Sequence, residues 1–401
     1  VKDGAHLDNY VKKLPDGKNY YVIPNKGNVT LTFPAGPNVS KDTNEVTVYM
    51  ELDEVNVYVN KTNADTGENI ANAEFTVYEW NGNSYANNKG TMEYTARTQR
   101  YQMLHLEKTS TNAGKYKIVE TVTPSGHTGA WEQEFVVGTE QNITFNATNP
   151  MSTGTITVYK KSYKGEFLSG AVFQIKAKDN ITSPQGKVLV NAGTLVDTVT
   201  TGSDGKAVSK KLYPGNYTVT ETNAPLGYSL NKTPQNTTVV YKDKNTPVTN
   251  VDVTFVNDRL YSTIKITKEI DTADIVWPHG NPTFTFKVTG KDVLGVSHTY
   301  YSTVEFTKNN AGSGSKATLT ATMKVLAGTY TVSEEKTVRY RFGSIHSVTN
   351  GTISGQTAIL NVEGSKKGTE VDGPTGTATF YNIKSNDEDL TGTAFVRNTI
   401  V

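Results

Sequence analysis

The sequence predicts an all-β protein, with tandem β-sandwich domains strung into an elongated rod. Three observations predict it. Short alternating runs rich in Val, Ile, Thr and Tyr dominate the 401 residues, and helical periodicity is nearly absent. Turns such as "SDGK" (203–206), "PSG" (124–126) and "PLG" (225–227) divide those runs. One ordered set of three strands then occurs three times, about 100 residues apart, which is the size of a sandwich domain.

Residues 1–53 precede the repeats and read as a partial N-terminal β-domain, with strand-like runs "NYYVIP" (19–24), "NVTLTFP" (28–34) and "EVTVYMELDE" (45–54). Three units follow, at 54–150, 151–258 and 259–386, and then a tail, 387–401. Each unit opens on a strand ending in Lys: "VNVYVNK" (55–61), "TITVYK" (155–160) and "STIKITK" (262–268). A Glu strand comes later: "YKIVET" (116–121), "YTVTET" (217–222) and "YTVSEE" (330–335). Each unit closes on an Asn strand: "ITFNATN" (143–149), "VDVTFVN" (251–257) and "TATFYN" (377–382). Lys160 follows Asn149, and Lys268 follows Asn257, by 11 residues, too few for a flexible linker. The start at Val1 and the end on "RNTIV" read as those of a trimmed fragment.

Strand alternation places these polar residues on core faces. Lys61 aligns with Val55, Val57 and Val59; Lys160 with Ile156 and Val158; Lys268 with Ile264 and Ile266. Glu120, Glu221 and Glu334 align with the apolar residues two and four places before them, and Glu335 points outward. Asn149, Asn257 and Asn382 fall on the Phe-bearing faces, whereas Asn146 falls on the Thr144 face. Burying an unpaired charge costs several kcal/mol, so three inward polar residues per unit require partners.

Two outcomes are open on the residues alone. One is a buried Lys–Glu ion pair with Asn beside it. The other is a reaction. Desolvation turns Lys into a neutral amine nucleophile and keeps Glu protonated. Glu as an acid would then hydrogen-bond the Asn carboxamide oxygen and shuttle protons. Ammonia would leave and an isopeptide bond would join Lys to Asn, with folding supplying the proximity.

The second unit carries "YTVTETNAPLGY" (217–228), "LSGAVFQI" (168–175) and "SDGKAVSKKLYPGNY" (203–217). These stretches resemble the collagen-adhesin B-type (CnaB) domains of Gram-positive surface proteins and sortase-assembled pilins, with Tyr217, Glu221, Ala224, Pro225, Gly227 and Tyr228 at matching positions. The first unit has a looser form, "YKIVETVTPSGH" (116–127), and the third, "YTVSEEKTVRYRFG" (330–343), keeps Tyr330 and Glu334 without the proline. The resemblance covers residues 54–385. It implies Ig-like sandwiches holding three Glu-assisted links: Lys61–Asn149, Lys160–Asn257 and Lys268–Asn382. It also implies a cell-wall location outside a Gram-positive cell, with other pilus subunits or peptidoglycan as partners through sortase. The subunit-joining lysine of such pilins lies in a "VYPK"-like motif. "VYME" (48–51) has neither its Pro nor its Lys, and Lys26 in "VIPNK" (22–26) is a weak counterpart.

The function expected is therefore structural, a stalk or shaft in which each Glu acts once, and not that of an enzyme. A binding module for a host matrix protein or glycan is the alternative, and an appendage of a carbohydrate enzyme a third. With 40 basic and 39 acidic residues, no strong field favours nucleic acid, and no transmembrane run implies membrane insertion. There is no Cys, so disulfides are excluded. The six His lack ligand spacing, so no metal and no cofactor is expected. "AGSGSK" (311–316) lacks the strand-to-helix setting of a phosphate loop, and Trp80, Trp131 and Trp277 read as packing residues.

Overall fold

The computed structural model describes residues 54–108, 111–138, 141–365 and 367–385 in full, together with three short strands at Lys12–Lys13, Asn19–Val22 and Met50–Leu52. Those three strands pair antiparallel in one small sheet. The expected strand at 28–34, Lys26 and the tail 387–401 lie outside the described residues.

From residue 54 onward, the described chain is strands, turns and two short 3-10 turns (Thr272–Asp274 and Trp277–His279). The strands form three two-sheet sandwiches, each with its own core. In the first, one sheet runs 142–149, 54–63, 100–107, 93–95. The other runs 132–136, 115–122, 74–80, 85–91. In the second, the sheet 206–208, 153–162, 248–257 faces the sheet 195–200, 172–177, 215–223, 235–239, and a small hairpin (181–182 with 188–190) stands apart. In the third, 316–326, 261–271, 375–384, 340–349 faces the five-stranded sheet 297–305, 283–292, 328–334, 357–361, 351–354.

Alternation explains the sheets. The strand Glu54–Asn63 buries every second residue from Val55 to Asn63, and Thr153–Ser162 and Tyr261–Asp271 bury their Ile and Val positions together with the lysine in line. Within each sandwich the Lys strand and the Asn strand, its first and last strands, lie side by side and parallel, while the other pairings are antiparallel. Parallel neighbours need a long crossover, and here that crossover is nearly the whole unit. A bond between these two strands therefore closes the entire domain.

Trp131 and Trp277 pack against the cores, as expected, and Trp80 meets Tyr85 edge-on. Among the described residues no helix is long and apolar enough to cross a membrane.

Candidate functional site

The register repeats in all three units. Lys61 lies opposite Ala147, Lys160 opposite Phe255 and Lys268 opposite Phe380. Asn149, Asn257 and Asn382 sit two residues further along, opposite Asn63, Ser162 and Ile270. Two residues along the neighbouring strand is the same face, within reach of a lysine side chain.

The third member comes from the facing sheet. Glu120, Glu221 and Glu334 lie in strands 115–122, 215–223 and 328–334, each opposite a phenylalanine, Phe75, Phe173 and Phe286 respectively. Those rings are fully buried. Phe173 packs on Phe255 with ring centroids 4.8 Å apart, and Phe286 on Phe380 at 5.1 Å, which keeps water from the lysines beside them. Four residues before each Glu stands a buried tyrosine whose hydroxyl donates to a backbone carbonyl: Tyr116 to Glu107 (2.6 Å), Tyr217 to Tyr213 (2.7 Å) and Tyr330 to Leu326 (2.8 Å). Each tyrosine fixes the strand that carries its Glu.

The nine residues meet in three triads. All three lysines are 0% exposed, a state that lysine almost never adopts without a partner. Lys61 Nζ is 2.9 Å from Glu120 Oε1, Lys160 Nζ 3.4 Å from Glu221 Oε1, and Lys268 Nζ 2.8 Å from Glu334 Oε2. The third contact is also a directed hydrogen bond, whereas Lys61 and Lys160 meet their glutamates as ion pairs. Each Asn donates from Nδ2 to the same Glu: Asn149 to Glu120 Oε2 (3.2 Å), Asn257 to Glu221 Oε1 (2.9 Å) and Asn382 to Glu334 Oε1 (2.5 Å). Glu335, the alternative in the third unit, is exposed, as is Asn146 in the first.

One expectation is corrected. The glutamate does not meet the carboxamide oxygen; it meets the nitrogen. An ionised carboxylate has only acceptors and so takes the N–H groups. The three Asn Oδ1 atoms are left buried without a hydrogen-bond donor. A buried unmet acceptor costs about 1–3 kcal/mol, and it recurs at the same atom in all three units.

Burial favours the neutral forms of the three lysines and of Glu221 and Glu334. Desolvation lowers Lys61, and it brings Lys160 and Lys268 down to about 8 against the pull of Glu221 and Glu334. Desolvation likewise raises Glu221 and Glu334 above the ordinary carboxyl value. Both shifts lower the free energy needed to move one proton from Lys to Glu.

The matched family is the SpaA prealbumin-like fold domain, over residues 55–151 and again over 154–254. Both stretches match the model of that family. The first match holds Lys61, Glu120 and Asn149; the second holds Lys160 and Glu221 and ends three residues before Asn257, and the third sandwich repeats the register outside the matched residues.

No curated protein matches the chain. Among solved structures, the Bacillus anthracis TIE protein is 17% identical with a TM-score of 0.50, over 82% of this chain and 50% of its own. This chain thus spans half the length of that protein, and the likeness is one of fold. The shaft pilin SpaA of Lactobacillus rhamnosus GG is 17% identical over 51% of this chain and 98% of its own, with a TM-score of 0.23. A streptococcal ancillary pilin is 13% identical over 80% of this chain and 98% of its own, with a TM-score of 0.27.

Proposed function

We propose that the chain is a force-bearing stalk or shaft segment of a Gram-positive surface pilus or adhesin, each of whose three sandwiches is locked by a self-made Lys–Asn isopeptide bond. The observation that carries this reading is the triplicate register: an amine, a carboxyl and a carboxamide brought together, dry, between the first and last strands of every unit. Attachment to other subunits or to peptidoglycan by sortase belongs to the same reading, as does an extracellular location at the cell wall.

The step balances on the groups present. The ion pair first passes one proton from Lys Nζ to the Glu carboxylate. The neutral amine attacks Asn Cγ, forming the Nζ–Cγ bond. Glu delivers its proton to Nδ2, the Cγ–Nδ2 bond breaks, and ammonia leaves. Nζ then gives up its surplus proton to Glu, which ends neutral beside the new amide. The Nδ2-to-Glu hydrogen bonds suit this order, because the departing nitrogen already faces the acid.

A pH dependence follows. The reacting pair must hold one proton. As pH falls through the raised values of Glu221 and Glu334, their pairs gain a second proton and Lys is no longer a nucleophile. As pH rises through about 8, where Lys160 and Lys268 titrate, the pair loses its only proton and no acid remains for the departing nitrogen. Chain dissolved from inclusion bodies and refolded at a series of pH values should lose ammonia along a bell-shaped curve whose upper limb falls near pH 8. A rate that keeps climbing above pH 9 would exclude Glu as proton donor.

A further inference from the structure

The segments after the Glu strands of the first and second units have two faces, one toward their own triad and one toward the next unit. Its geometry is the same at both junctions. Ser152 N–H donates to Gly126 C=O, and Leu260 N–H to Gly227 C=O (both 2.9 Å). Thr128 N–H donates to Pro150 C=O, and Ser229 N–H to Asp258 C=O (both 3.0 Å). Nine residues after the Glu, Gly129 N–H reaches Lys244 C=O (3.2 Å) and Leu230 N–H reaches Glu370 C=O (2.7 Å). Those last two carbonyls belong to the downstream unit, in the loop that leads into its Asn strand.

In the second unit this strap also touches the acid. Glu120 and Glu334 each spend one oxygen on Lys and the other on Asn. Glu221 instead faces both Lys160 and Asn257 with Oε1, while Oε2 accepts the backbone N–H of Asn231 at 2.9 Å. Asn231 directly follows Leu230. The strap is held from the third unit a second time, by Ala224 N–H donating to Gly368 C=O at 2.7 Å. Ala224 and Leu230 pack with Leu168 and Tyr228 in a small apolar cluster at this junction.

We propose that the third unit completes the reaction site of the second: the carbonyls of Gly368 and Glu370 seat the strap, and Asn231 N–H, as a positioning group, aims Glu221 at Lys160 and Asn257. The Lys160–Asn257 bond then forms after the third unit docks, so the covalent lock reports a finished junction as well as a folded domain. This rests on the isopeptide reading above. A small misplacement of a reacting group removes most of the benefit of proximity, so loss of the seat should be visible in the rate.

The test uses the full chain, refolded from denaturant and sampled over time, with the peptide pairs around each triad followed by mass. Gly368 has φ +66°, and a Cβ there would lie 2.2 Å from Ala224 O, so Gly368→Val unseats the strap from the third-unit side. Asn231→Pro removes the N–H itself. Both variants should slow the Lys160–Asn257 link about tenfold or more, while Lys61–Asn149 and Lys268–Asn382 form at the wild-type rate. Formation of the Lys160–Asn257 link at the wild-type rate in Gly368→Val and Asn231→Pro overturns the proposal, whether or not the third unit closes in the former. A wild-type chain that never loses ammonia would instead refute the isopeptide reading, so the two failures are distinguishable.

Discussion

Glu221→Ala should leave Lys160 and Asn257 unjoined and lower the melting temperature of the second unit by about 20 °C or more. The link closes a loop of roughly 100 residues, for which the chain-entropy account gives about 4–5 kcal/mol. In a domain of this size each kcal/mol moves the midpoint by roughly 4–8 °C. The substitution also strands Asn231 N–H and leaves Lys160 buried without a counter-charge, so part of the loss belongs to those groups. Lys160→Met separates the two effects. It removes the link and the lysine charge at similar volume and leaves Glu221, already raised by burial, to take up a proton beside Asn257, so it should destabilise less than Glu221→Ala yet still by several kcal/mol. Equal stability of Lys160→Met and wild type, read by calorimetry, would mean that no link was ever made in the second unit.

The second large effect is mechanical. When the chain is pulled from its ends, force enters each sandwich at its Lys strand and leaves at the Asn strand beside it. A covalent bond between these strands carries the tension past the sandwich, so the residues between Lys160 and Asn257 should not extend at any force below bond rupture. Glu221→Ala should open that path. A single-molecule trace should then gain one unfolding step of roughly 330 Å, the contour of the released segment at about 3.4 Å per residue. Wild-type chain showing three such steps would place the whole tension on hydrogen bonds and exclude the lock.

The parts of this site set by local alternation were legible in the sequence. A period of two fixes which side of a strand each residue faces, so the inward direction of Lys61, Lys160 and Lys268 followed from their apolar neighbours, as did the choice of Asn149 over Asn146. The recurrence of the same three strands marked which ones belong together. Other features depend on contacts far apart in the chain and left no local pattern. Face parity does not say which atom of a carboxamide meets the acid, because that is decided by the charge of a residue from another sheet. The strap from Ala224 to Asn231 is held by backbone carbonyls of the third unit, and backbone groups carry no sequence signal. The phenylalanines opposite each Glu did leave one: Phe75, Phe173 and Phe286 share the inward parity of their strands and could have been named as the apolar wall of the site. The third unit departs from the other two where its sequence drops the proline. The strand Tyr340–Thr349 there pairs with the Asn strand, so Asn382 sits in a sheet interior, whereas Asn149 and Asn257 lie on edge strands.

The mass of the intact, purified chain is the most direct test of the covalent lock. Each bond expels one ammonia, about 17 Da, so a fully matured chain should weigh about 51 Da less than its translated sequence, and digestion should yield three branched peptides joining Lys61 to Asn149, Lys160 to Asn257 and Lys268 to Asn382. The full translated mass, with all six residues recovered in linear peptides, would contradict it and leave three buried ion pairs in an ordinary string of sandwiches.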